Sequence, residues 1–212
     1  MNEEYKVGTK NVSRETYELL NDYVRMINKW NSTINLISKK TIADLWSRHI
    51  LDSAQLSVFL DSHIRKWVDF GSGAGFPGIV ISILAKEQFS SLEMNLIESD
   101  QRKCVFLREV SRELKLNAKI ISSRIENCSK LNADIISARA LAPMKKLLLY
   151  FDSHSKIGSK GLFLKGKNIQ SELNVLRHVN RFEINIEPSL INSDGVIVEV
   201  IKKRNFETDK TS

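Results

Sequence analysis

The stretch WVDFGSGAGFPG, residues 67–78, decides the fold that we predict for this chain. Four of the nine glycines of the chain lie in it, and because glycine weakens regular elements, such clustering indicates a turn whose backbone closely approaches a ligand. The four residues before the first glycine form an apolar run with one carboxylate, Asp69, which predicts a buried strand. Pro77 suits the first position of a helix, and apolar residues then recur at helical spacing through residue 84. Strand, glycine turn and helix N-terminus together predict a nucleotide-binding corner.

Two classes of cofactor fit the glycine pattern. Residues 73–78 match the G-x-G-x-x-G of dinucleotide-binding enzymes, a pattern that is weak by itself. The longer series Asp69-x-Gly71-x-Gly73-x-Gly75 resembles motif I of the S-adenosylmethionine (AdoMet) methyltransferases, in which the acidic residue lies near the amino-acid end of the cofactor. AdoMet carries an ammonium and a sulfonium but no pyrophosphate, so a carboxylate favours AdoMet and would repel a dinucleotide. A glycine-rich turn without a ligand is the structural alternative.

Composition and charge bound the class of protein. The 212 residues suffice for one large domain, or for one domain with a small appendage, and 42% of them are hydrophobic, as in a globular protein. We find no run of 18 apolar residues and no signal peptide, and Cys104 and Cys128 lack metal-ligand spacing. We therefore expect a cytoplasmic protein with reduced cysteines, no membrane segment and no metal. The net charge of +7 favours a polyanionic partner, although a basic, solvated surface explains it equally well.

Residues 1–63 are predicted to form an N-terminal helical extension. Ser13 is a suitable cap for a helix that continues to residue 30, and a second helix is predicted from about residue 41 to residue 60. Residues 1–12 are polar and predicted to fray, and no strand is predicted before residue 67.

Residues 64–204 alternate between strand and helix patterns. This alternation predicts a Rossmann-like α/β core with a mostly parallel, seven-stranded sheet that is covered on both faces and ends in a hairpin. Val105, Phe106 and Val110 are predicted to face inward from a helix at 102–114, and residues 205–212 to form a flexible tail. The other predicted strands lie at 92–97, 119–122, 134–138, 161–165, 182–186 and 196–201, and the other predicted helices at 143–151 and 169–179.

The residues that follow each predicted strand are site candidates, because an open parallel sheet binds its ligand beyond the carboxyl ends of its strands. Glu98 ends the second strand and is placed to accept both hydroxyls of a ribose. After the third strand, Ile125 is placed to cover an adenine face and Glu126 to face the exocyclic amine. Arg139 follows the fourth strand, where methyl donor and acceptor should meet. The structural alternatives are a surface acid at Glu98, a capped helix start near Glu126, and an Arg139 that pairs with an acid in the cleft.

Motifs along most of the chain resemble one family of bacterial enzymes. The motifs are Trp30-Asn31 with Asn35-Leu36, Arg48-His49-Ile50-Leu51-Asp52-Ser53, the stretch from Asp69 to Gly78, Glu98-Ser99-x-x-Arg102-Lys103-x-x-Phe106-Leu107, Ser123-Arg124-Ile125-Glu126, Ser137-Ala138-Arg139-Ala140 and Lys165-Gly166. They run in order from about residue 15 to residue 203, and the second and third are the most specific. The chain resembles the RsmG (GidB) family, which methylates N7 of a guanine in 16S ribosomal RNA. One departure is Ala74, where many members carry proline, and its small side chain still suits the turn.

The resemblance implies cofactor contacts and a reaction. The implied cofactor contacts are Gly71, Phe76, Ile125, Glu126 and Arg139. Guanine N7 has an in-plane lone pair, so its attack on the sulfonium methyl needs no general base. Catalysis then consists mostly of alignment in a cleft that excludes water. For Arg139 three roles stay open: a hydrogen bond to guanine O6, a contact with phosphate, or a contact with the carboxylate of the cofactor.

Basic residues around the predicted cleft are candidate RNA contacts, because contacts to phosphate supply affinity. The resemblance implies that the helical extension and the basic rim of the cleft hold the RNA. His49 is equally well explained as a core histidine, and Lys145 and Lys146 as a solvated helix face. The candidates are Lys39, Lys40, Arg48, His49, Arg102, Lys103, Lys145, Lys146, Lys165 and Lys167.

The leading hypothesis is therefore a monomeric, AdoMet-dependent methyltransferase that modifies N7 of a guanine in 16S ribosomal RNA or in the small ribosomal subunit. A non-catalytic RNA-binding or assembly factor that keeps the pocket is one alternative. An NAD-type oxidoreductase is the other, and Asp69 argues against it. Arg139 is the predicted catalytic residue, and the predicted cofactor site consists of Asp69, Gly71, Gly73, Gly75, Phe76, Glu98, Ile125, Glu126 and Arg139.

Overall fold

A computed structural model describes residues 5–166, 168–174 and 180–204 of the protein. The described chain starts with an antiparallel hairpin of β1 (Tyr5–Val7) and β2 (Lys10–Val12). The prediction that residues 5–12 fray and form no strand is therefore wrong. Strands of three residues are too short to show a recognisable alternation of apolar and polar residues, and in this hairpin only Val7 is buried.

Helix α1 (Arg14–Asn31) confirms the first predicted helix. The hydroxyl oxygen of Ser13 accepts a hydrogen bond from the backbone N–H of Thr16 at 3.0 Å, which is the predicted N-cap. Leu20, Tyr23 and Ile27 recur at helical spacing on one face and are fully buried. That face attaches the helix to the rest of the protein.

The second predicted helix, over residues 41–60, is wrong as a single helix. The apolar positions Ile50 and Leu56 are fully buried, so the hydrophobic pattern holds while the backbone hydrogen bonding changes along the segment. π-helical turns often occur at functional sites, and the one in this segment carries Arg48 and His49. The segment consists of a 3₁₀ turn at Lys39–Thr41, a π-helix at Trp46–Leu51, a single α-helical turn α2 (Asp52–Ala54) and a second 3₁₀ turn at Gln55–Phe59.

A seven-stranded sheet forms the centre of the protein. Its strands are β3 (Lys66–Phe70), β4 (Glu93–Glu98), β5 (Ala118–Ser122), β6 (Ala133–Arg139), β7 (Ser155–Gly166), β8 (Phe182–Pro188) and β9 (Gly195–Lys202). Their order is β5-β4-β3-β6-β7-β9-β8, and of these seven strands β9 alone runs in the opposite direction to the other six. The sheet therefore confirms the predicted mostly parallel architecture with its terminal hairpin. The strand order reverses between β3 and β6, which is where such sheets bind ligands.

The helices that connect the strands follow the predicted pattern with two corrections. The helix after the glycine turn begins at Gly78, so Pro77 precedes it instead of occupying its first position. Val105 is 52% exposed, whereas Phe106 and Val110 are buried as predicted, because a residue next to Phe106 is rotated by about 100° from it around the helix axis. The helices are α3 (Gly78–Ala85), α4 (Gln101–Glu113), α5 (Met144–His154) and α6 (Ile169–Asn174).

Most of the buried apolar residues in the described part of the chain belong to two hydrophobic clusters. One joins Tyr23 of α1 to Ile79 of α3 and Phe106 of α4, so the predicted N-terminal extension shares a core with the seven-stranded sheet. The other contains Phe151 of α5 and Phe163 of β7. The predicted continuation of α6 over residues 175–179 and the predicted tail over 205–212 lie outside the described residues. No helix in the described ranges has the length and apolarity needed to cross a membrane.

Candidate functional site

The carboxyl ends of β3, β4 and β6, together with the loop after β5, border one open cleft of 310 Å³. This is the edge at which an open parallel sheet binds its ligand. Asp69, Gly75 and Phe76 are buried and do not line the cleft. The predicted cofactor residues that do line it are Gly71, Gly73, Glu98, Ile125, Glu126 and Arg139.

The glycine turn has a backbone conformation that a larger residue would strain, and it leaves room for a ligand at one position. Gly73 has a φ of +57°, and the nearest heavy atom to the position of a β carbon there is O of Gly71 at 3.8 Å. Gly75 has a φ of +102°, and a β carbon there would lie 2.5 Å from Cγ1 of Ile79 and 2.8 Å from Oη of Tyr23. The turn is thus tightly packed at Gly75 and open to the cleft at Gly73. A backbone cradle of this kind fits a nucleotide-type cofactor.

The carboxylate of Glu98 holds the glycine turn against the end of β4. Its Oε2 accepts a hydrogen bond from the N–H of Gly73 at 2.8 Å, and its Oε1 accepts bonds from the N–H groups of Ser99 and Asp100 at 2.7 and 2.8 Å. Glu98 is only 8% exposed, yet it borders the cleft. Each carboxylate oxygen can accept more than one hydrogen bond, so the carboxylate can fix the turn and also accept hydroxyl groups from a ribose.

Asp69 lies beneath the glycine turn and is fully buried. Its Oδ1 accepts a 2.7 Å hydrogen bond from the hydroxyl of Ser137, and its Oδ2 accepts one from the N–H of Gly78 at 3.3 Å. The Ser137 hydroxyl in turn accepts a bond from Nε1 of Trp67. Burial raises the pKa of Asp69 to about 6, and the hydrogen bonds from Ser137 and Gly78 oppose that shift. The acidic residue of the glycine motif therefore joins β3, β6 and the start of α3.

Beyond Glu98, the cleft is bordered by the apolar side chain of Ile125 and by a cluster of three polar side chains around Glu126. Ile125 is 6% exposed and lines the cleft beside Glu126. The hydroxyl of Tyr150 donates a hydrogen bond to Glu126, and Nζ of Lys146 lies 3.3 Å from Oε1 of the same carboxylate. The pKa of Glu126 is lowered to about 2, mainly by the hydrogen bond from Tyr150. This carboxylate is therefore ionised at neutral pH and can only accept hydrogen bonds. An apolar face beside an acceptor suits an adenine and its exocyclic amine.

Arg139 lies at the other end of the cleft, in contact with the N-terminal segment. Its Nη1 donates a hydrogen bond to the carbonyl of Arg48 at 3.1 Å and lies 3.5 Å from Oδ2 of Asp52. The guanidinium also lies over the ring of Phe76, 4.9 Å from the ring centroid. The ring of His49 stacks on the same Phe76 ring, with a centroid distance of 4.9 Å. The stacked rings and the carboxylate fix the plane of the guanidinium.

A second cavity of 500 Å³ lies on the other side of Arg139. Arg139 and Ala140 line both cavities, so these two residues form the border between them. Ala140 has a φ of +50°, a left-handed conformation that a non-glycine residue adopts at a cost and that occurs often at functional sites. The second cavity is lined in addition by Asp52, Leu164, Lys165, Gly166, Asn168, Glu172, Ser189, Asn192, Asp194, Gly195 and Val196.

The predicted RNA contacts lie in different settings. Lys103 lines the cleft of 310 Å³ at the strand ends, which we call the cofactor cleft. Lys165 lines the second cavity, where its Nζ lies 2.9 Å from Oε1 of Glu172. Arg102 is exposed and paired with Asp100 at 3.0 Å. The exposed basic residues are Lys39, Lys40, Arg48, Arg102, Lys145 and Lys146, while Lys167 lies outside the described residues.

His49 is half-buried, and neither ring nitrogen has a hydrogen-bond partner among the described residues. Burial, and then the charges of Arg139 and Arg48, lower its pKa to about 4, so the ring is neutral at pH 7. Its stacking on Phe76 agrees with the alternative of a core histidine, and its place beside Arg139 keeps it at the border of the site.

Sequence reasoning missed three residues that shape the site. Tyr23 donates a 2.6 Å hydrogen bond to the carbonyl of Ala74 and thereby ties α1 to the glycine turn. Ser137 holds Asp69, and Tyr150 lines the cleft. Ser137 belongs to the Ser-Ala-Arg-Ala motif, so the sequence pointed to its position. For Tyr23 and Tyr150 the sequence showed only apolar residues at helical spacing, because their hydrogen-bond partners are distant in the sequence.

No group of three or more histidine, cysteine, aspartate or glutamate side chains that could hold a metal ion occurs within residues 5–166, 168–174 and 180–204. The site is built from backbone amides, the carboxylates of Asp52, Asp69, Glu98 and Glu126, the guanidinium of Arg139 and apolar surfaces.

Comparison with known proteins identifies the family. The profile of the family described as "GidB: rRNA small subunit methyltransferase G" matches residues 16–195. The chain belongs to the GidB family. Among its relatives, a ribosomal RNA small subunit methyltransferase G of Cereibacter sphaeroides is 43% identical over 200 residues, which cover 94% of this chain and 97% of the relative. A protein of the same name from Ruegeria pomeroyi is also 43% identical, over 91% of this chain and 94% of the relative.

Solved structures with low sequence identity share the fold of this GidB-family chain. A complex of M. jannaschii TYW2 with AdoMet superposes with a TM-score of 0.58 at 16% identity, over 76% of this chain and 78% of that one. A mutant of MtNAS in complex with S-adenosylmethionine gives a TM-score of 0.56 at 15% identity, over 89% of this chain and 76% of that one. The family match confirms the predicted AdoMet-dependent rRNA methyltransferase, and these structures confirm the predicted Rossmann-like fold.

Proposed function

We propose that this chain transfers the methyl group of AdoMet to N7 of a guanine in 16S ribosomal RNA, at the border formed by Arg139 and Ala140. The observation that carries the proposal is the position of these two residues, which line the cofactor cleft and the second cavity at once. A methyl donor in the first cavity and a base in the second would meet there. Membership of the GidB family supports the reaction class and the small-subunit RNA as substrate.

The residues of the cleft fit AdoMet from end to end. The apolar face of Ile125 with the acceptor Glu126 suits the adenine, and Glu98 suits the ribose hydroxyls. The turn is open to the amino-acid part at Gly73, and Gly71 also lines the cleft there. Asp69 acts on that part through the backbone that it holds and through its charge, because its side chain is fully buried. When bound, the cofactor supplies an electrophilic methyl group on a sulfonium.

Methylation of N7 requires no proton transfer by the protein. The N7 lone pair forms the new bond to the methyl carbon, the carbon–sulfur bond breaks, and the bonding pair stays on sulfur. The purine leaves with one positive charge, and no proton moves. A neutral ring at His49 suits this product, because a charged imidazolium beside Arg139 would repel it. The protein contributes alignment and exclusion of water.

The RNA is held by basic residues near the two cavities, among them Arg48, whose backbone carbonyl bonds Arg139, and Lys165, which lines the second cavity. A net charge of +7 supports phosphate binding with a strong dependence on salt. A base that enters the second cavity must be unpaired or splayed out of its helix, which is the usual form in which proteins read RNA bases. We propose further that the chain acts as a monomer in the cytoplasm, where ribosomal RNA is modified.

The test is methyl transfer from labelled AdoMet to 16S RNA and to small subunits from cells that lack the gene, followed by mass mapping of the product. We expect labelled 7-methylguanosine at one position with wild-type protein and none with Arg139→Ala or Gly73→Val. Wild-type protein that binds this RNA without transferring label would identify a non-catalytic RNA-binding factor and reject the proposal.

A further inference from the structure

The second cavity contains a hydrogen-bond donor, Arg139, and an acceptor, Asp52, that lie close together at a distance too long for a strong hydrogen bond. Nη1 of Arg139 and Oδ2 of Asp52 are 3.5 Å apart, which exceeds an ordinary charge-assisted hydrogen bond. Both side chains are mostly buried, with 19% and 16% of their side-chain surface exposed, and both face the cavity. The pair therefore has unused hydrogen-bonding capacity although both side chains are mostly buried.

The segment around Asp52 holds this carboxylate in place. Nε2 of Gln55 donates to Oδ1 of Asp52 at 2.9 Å, and Oε1 of Gln55 accepts the N–H of Leu190 at 3.2 Å. The same amide also contacts the hydroxyl of Ser189 at 3.2 Å. The turn between β8 and β9 is thus joined to Asp52 through Gln55. Glu172, which also lines the cavity, is already paired with Nζ of Lys165 and accepts a hydrogen bond from the N–H of Met144.

We infer that Arg139 and Asp52 read the Watson–Crick edge of the acceptor guanine in the second cavity, with Arg139 donating to O6 and Asp52 accepting from N1–H. This inference rests on the proposed function and names the residues that select its base. Guanine presents an acceptor next to a donor along this edge, and the arginine–aspartate pair presents the complementary sequence. A cavity of 500 Å³ falls in the range of about 300–1,000 Å³ that is usual for small-molecule sites, so a purine fits.

The relative positions of Arg139 and Asp52 then determine the direction in which N7 of the bound guanine points. In guanine, N1 and N7 lie on opposite sides of O6. Arg139 lines both cavities, whereas Asp52 lines the second cavity and a smaller one of 200 Å³ beyond it but not the cofactor cleft. A guanine with O6 on Arg139 and N1 on Asp52 therefore directs N7 from Arg139 towards the cofactor. Specificity for guanine and alignment of N7 come from the same two contacts.

The base analogue 2-aminopurine tests the inference, because it keeps N7 but lacks O6 and presents N1 as an unprotonated acceptor. We would map the modified guanine and assemble 16S RNA with guanine or 2-aminopurine at that position. Transfer rates are then measured for wild type, for Asp52→Asn and for Asp44→Asn. Asp44 is an exposed residue of the same segment that lines neither cavity, so its variant controls for the lost charge.

Wild type and Asp44→Asn should prefer guanine by at least tenfold, on the order expected for one well-made base contact. Asp52→Asn can turn its amide N–H₂ towards N1, which suits 2-aminopurine, so the preference should fall on the order of tenfold while AdoMet affinity stays unchanged. Asp52→Ala removes the acceptor and should slow transfer to guanine only.

An Asp52→Asn or Asp52→Ala variant that keeps the wild-type preference, or that slows both substrates by one factor, overturns the inference and leaves the proposed function intact. A wild-type protein that forms no 7-methylguanosine overturns both.

Discussion

Oε2 of Glu98 accepts a 2.8 Å hydrogen bond from the N–H of Gly73, and this bond joins the end of β4 to the glycine turn after β3. The same carboxylate accepts the N–H groups of Ser99 and Asp100, which start the loop to α4. One buried side chain thereby fixes the backbone on two sides of the cleft. A pocket that binds its cofactor through backbone amides depends on the position of the backbone. The affinity for AdoMet should therefore depend on Glu98 in two ways, through the backbone that it holds and through its own contacts with a ribose.

Glu98→Gln should weaken AdoMet binding by at least tenfold. Glutamine keeps one acceptor oxygen and turns its N–H₂ towards a backbone N–H, so at least one charge-assisted hydrogen bond is lost, worth about 1.5–3 kcal/mol. The measurement is calorimetric titration with AdoMet. Glu93→Gln is the matched control, since Glu93 lies at the other end of the same strand and its carboxylate accepts a hydrogen bond from the side chain of Asn95, away from the cleft. Equal affinities for the two variants would contradict this role of Glu98.

Gly73→Val should abolish detectable AdoMet binding while the protein stays folded. A β-branched residue at a φ of +57° is strained by about 1–2 kcal/mol, and its side chain would occupy the open space beside the cleft. Gly8→Val is the control, because Gly8 has a φ of +63° in the N-terminal hairpin with no atom within 4 Å of a β carbon. Both variants should lose similar unfolding free energy in urea titrations, and only the first should lose the cofactor. An unchanged AdoMet affinity in Gly73→Val would contradict the placement of the pocket.

Tyr23→Phe should both destabilise the protein and weaken AdoMet binding. The variant leaves the buried carbonyl of Ala74 without its 2.6 Å partner, which costs about 1–3 kcal/mol of unfolding free energy, and it frees the glycine turn from α1. Tyr17→Phe on the same helix is the control, since Tyr17 is half-buried and contacts the rings of Tyr5 and Trp46 away from the turn. If Tyr23→Phe lost stability but kept full affinity, the hydroxyl would only stabilise the fold.

Asp69→Asn should remove part of the pH dependence of stability. The pKa of Asp69 rises from an ordinary 3.8 to about 6 in the folded protein because of burial, so the folded state keeps a proton that the unfolded chain releases. The wild-type unfolding free energy therefore contains a contribution that is fully present below pH 4 and lost as the pH rises through 6, on the order of 3 kcal/mol. Urea titrations between pH 3.5 and 7 for both proteins isolate it, because His49 titrates equally in each. Parallel curves for the two proteins would show that Asp69 is not protonated in this range.

The parts of the fold that follow from local patterns were predictable. The glycine turn, the order of strands and helices from β3 to β9, and the end of β4 at Glu98 all come from periodicity and glycine placement within a few residues. The hairpin of β1 and β2 and the break of the predicted second helix into 3₁₀, π and α turns were not. Strands of three residues carry little pattern, and a helical segment of only a few residues is too short for its apolar spacing to distinguish i→i+3, i→i+4 and i→i+5 hydrogen bonding.

The candidate site was predictable in its location and less so in its contacts. The end of each strand was identified from the sequence, and the cleft lies there. The buried contacts of Asp69 with Ser137 and of Tyr23 with Ala74 join residues 68 and 51 positions apart, and no local pattern reports such pairs. The second cavity likewise arises from the turn between β8 and β9 meeting α2, two segments far apart in the sequence.

A crystal structure of the protein with AdoMet bound tests the central claim most directly. The account predicts the adenine against Ile125, the ribose at Glu98, the amino-acid part over Gly71 and Gly73, and the sulfonium methyl directed at the border of Arg139 and Ala140. Cofactor density outside this cleft, or a methyl group directed away from that border, would contradict it.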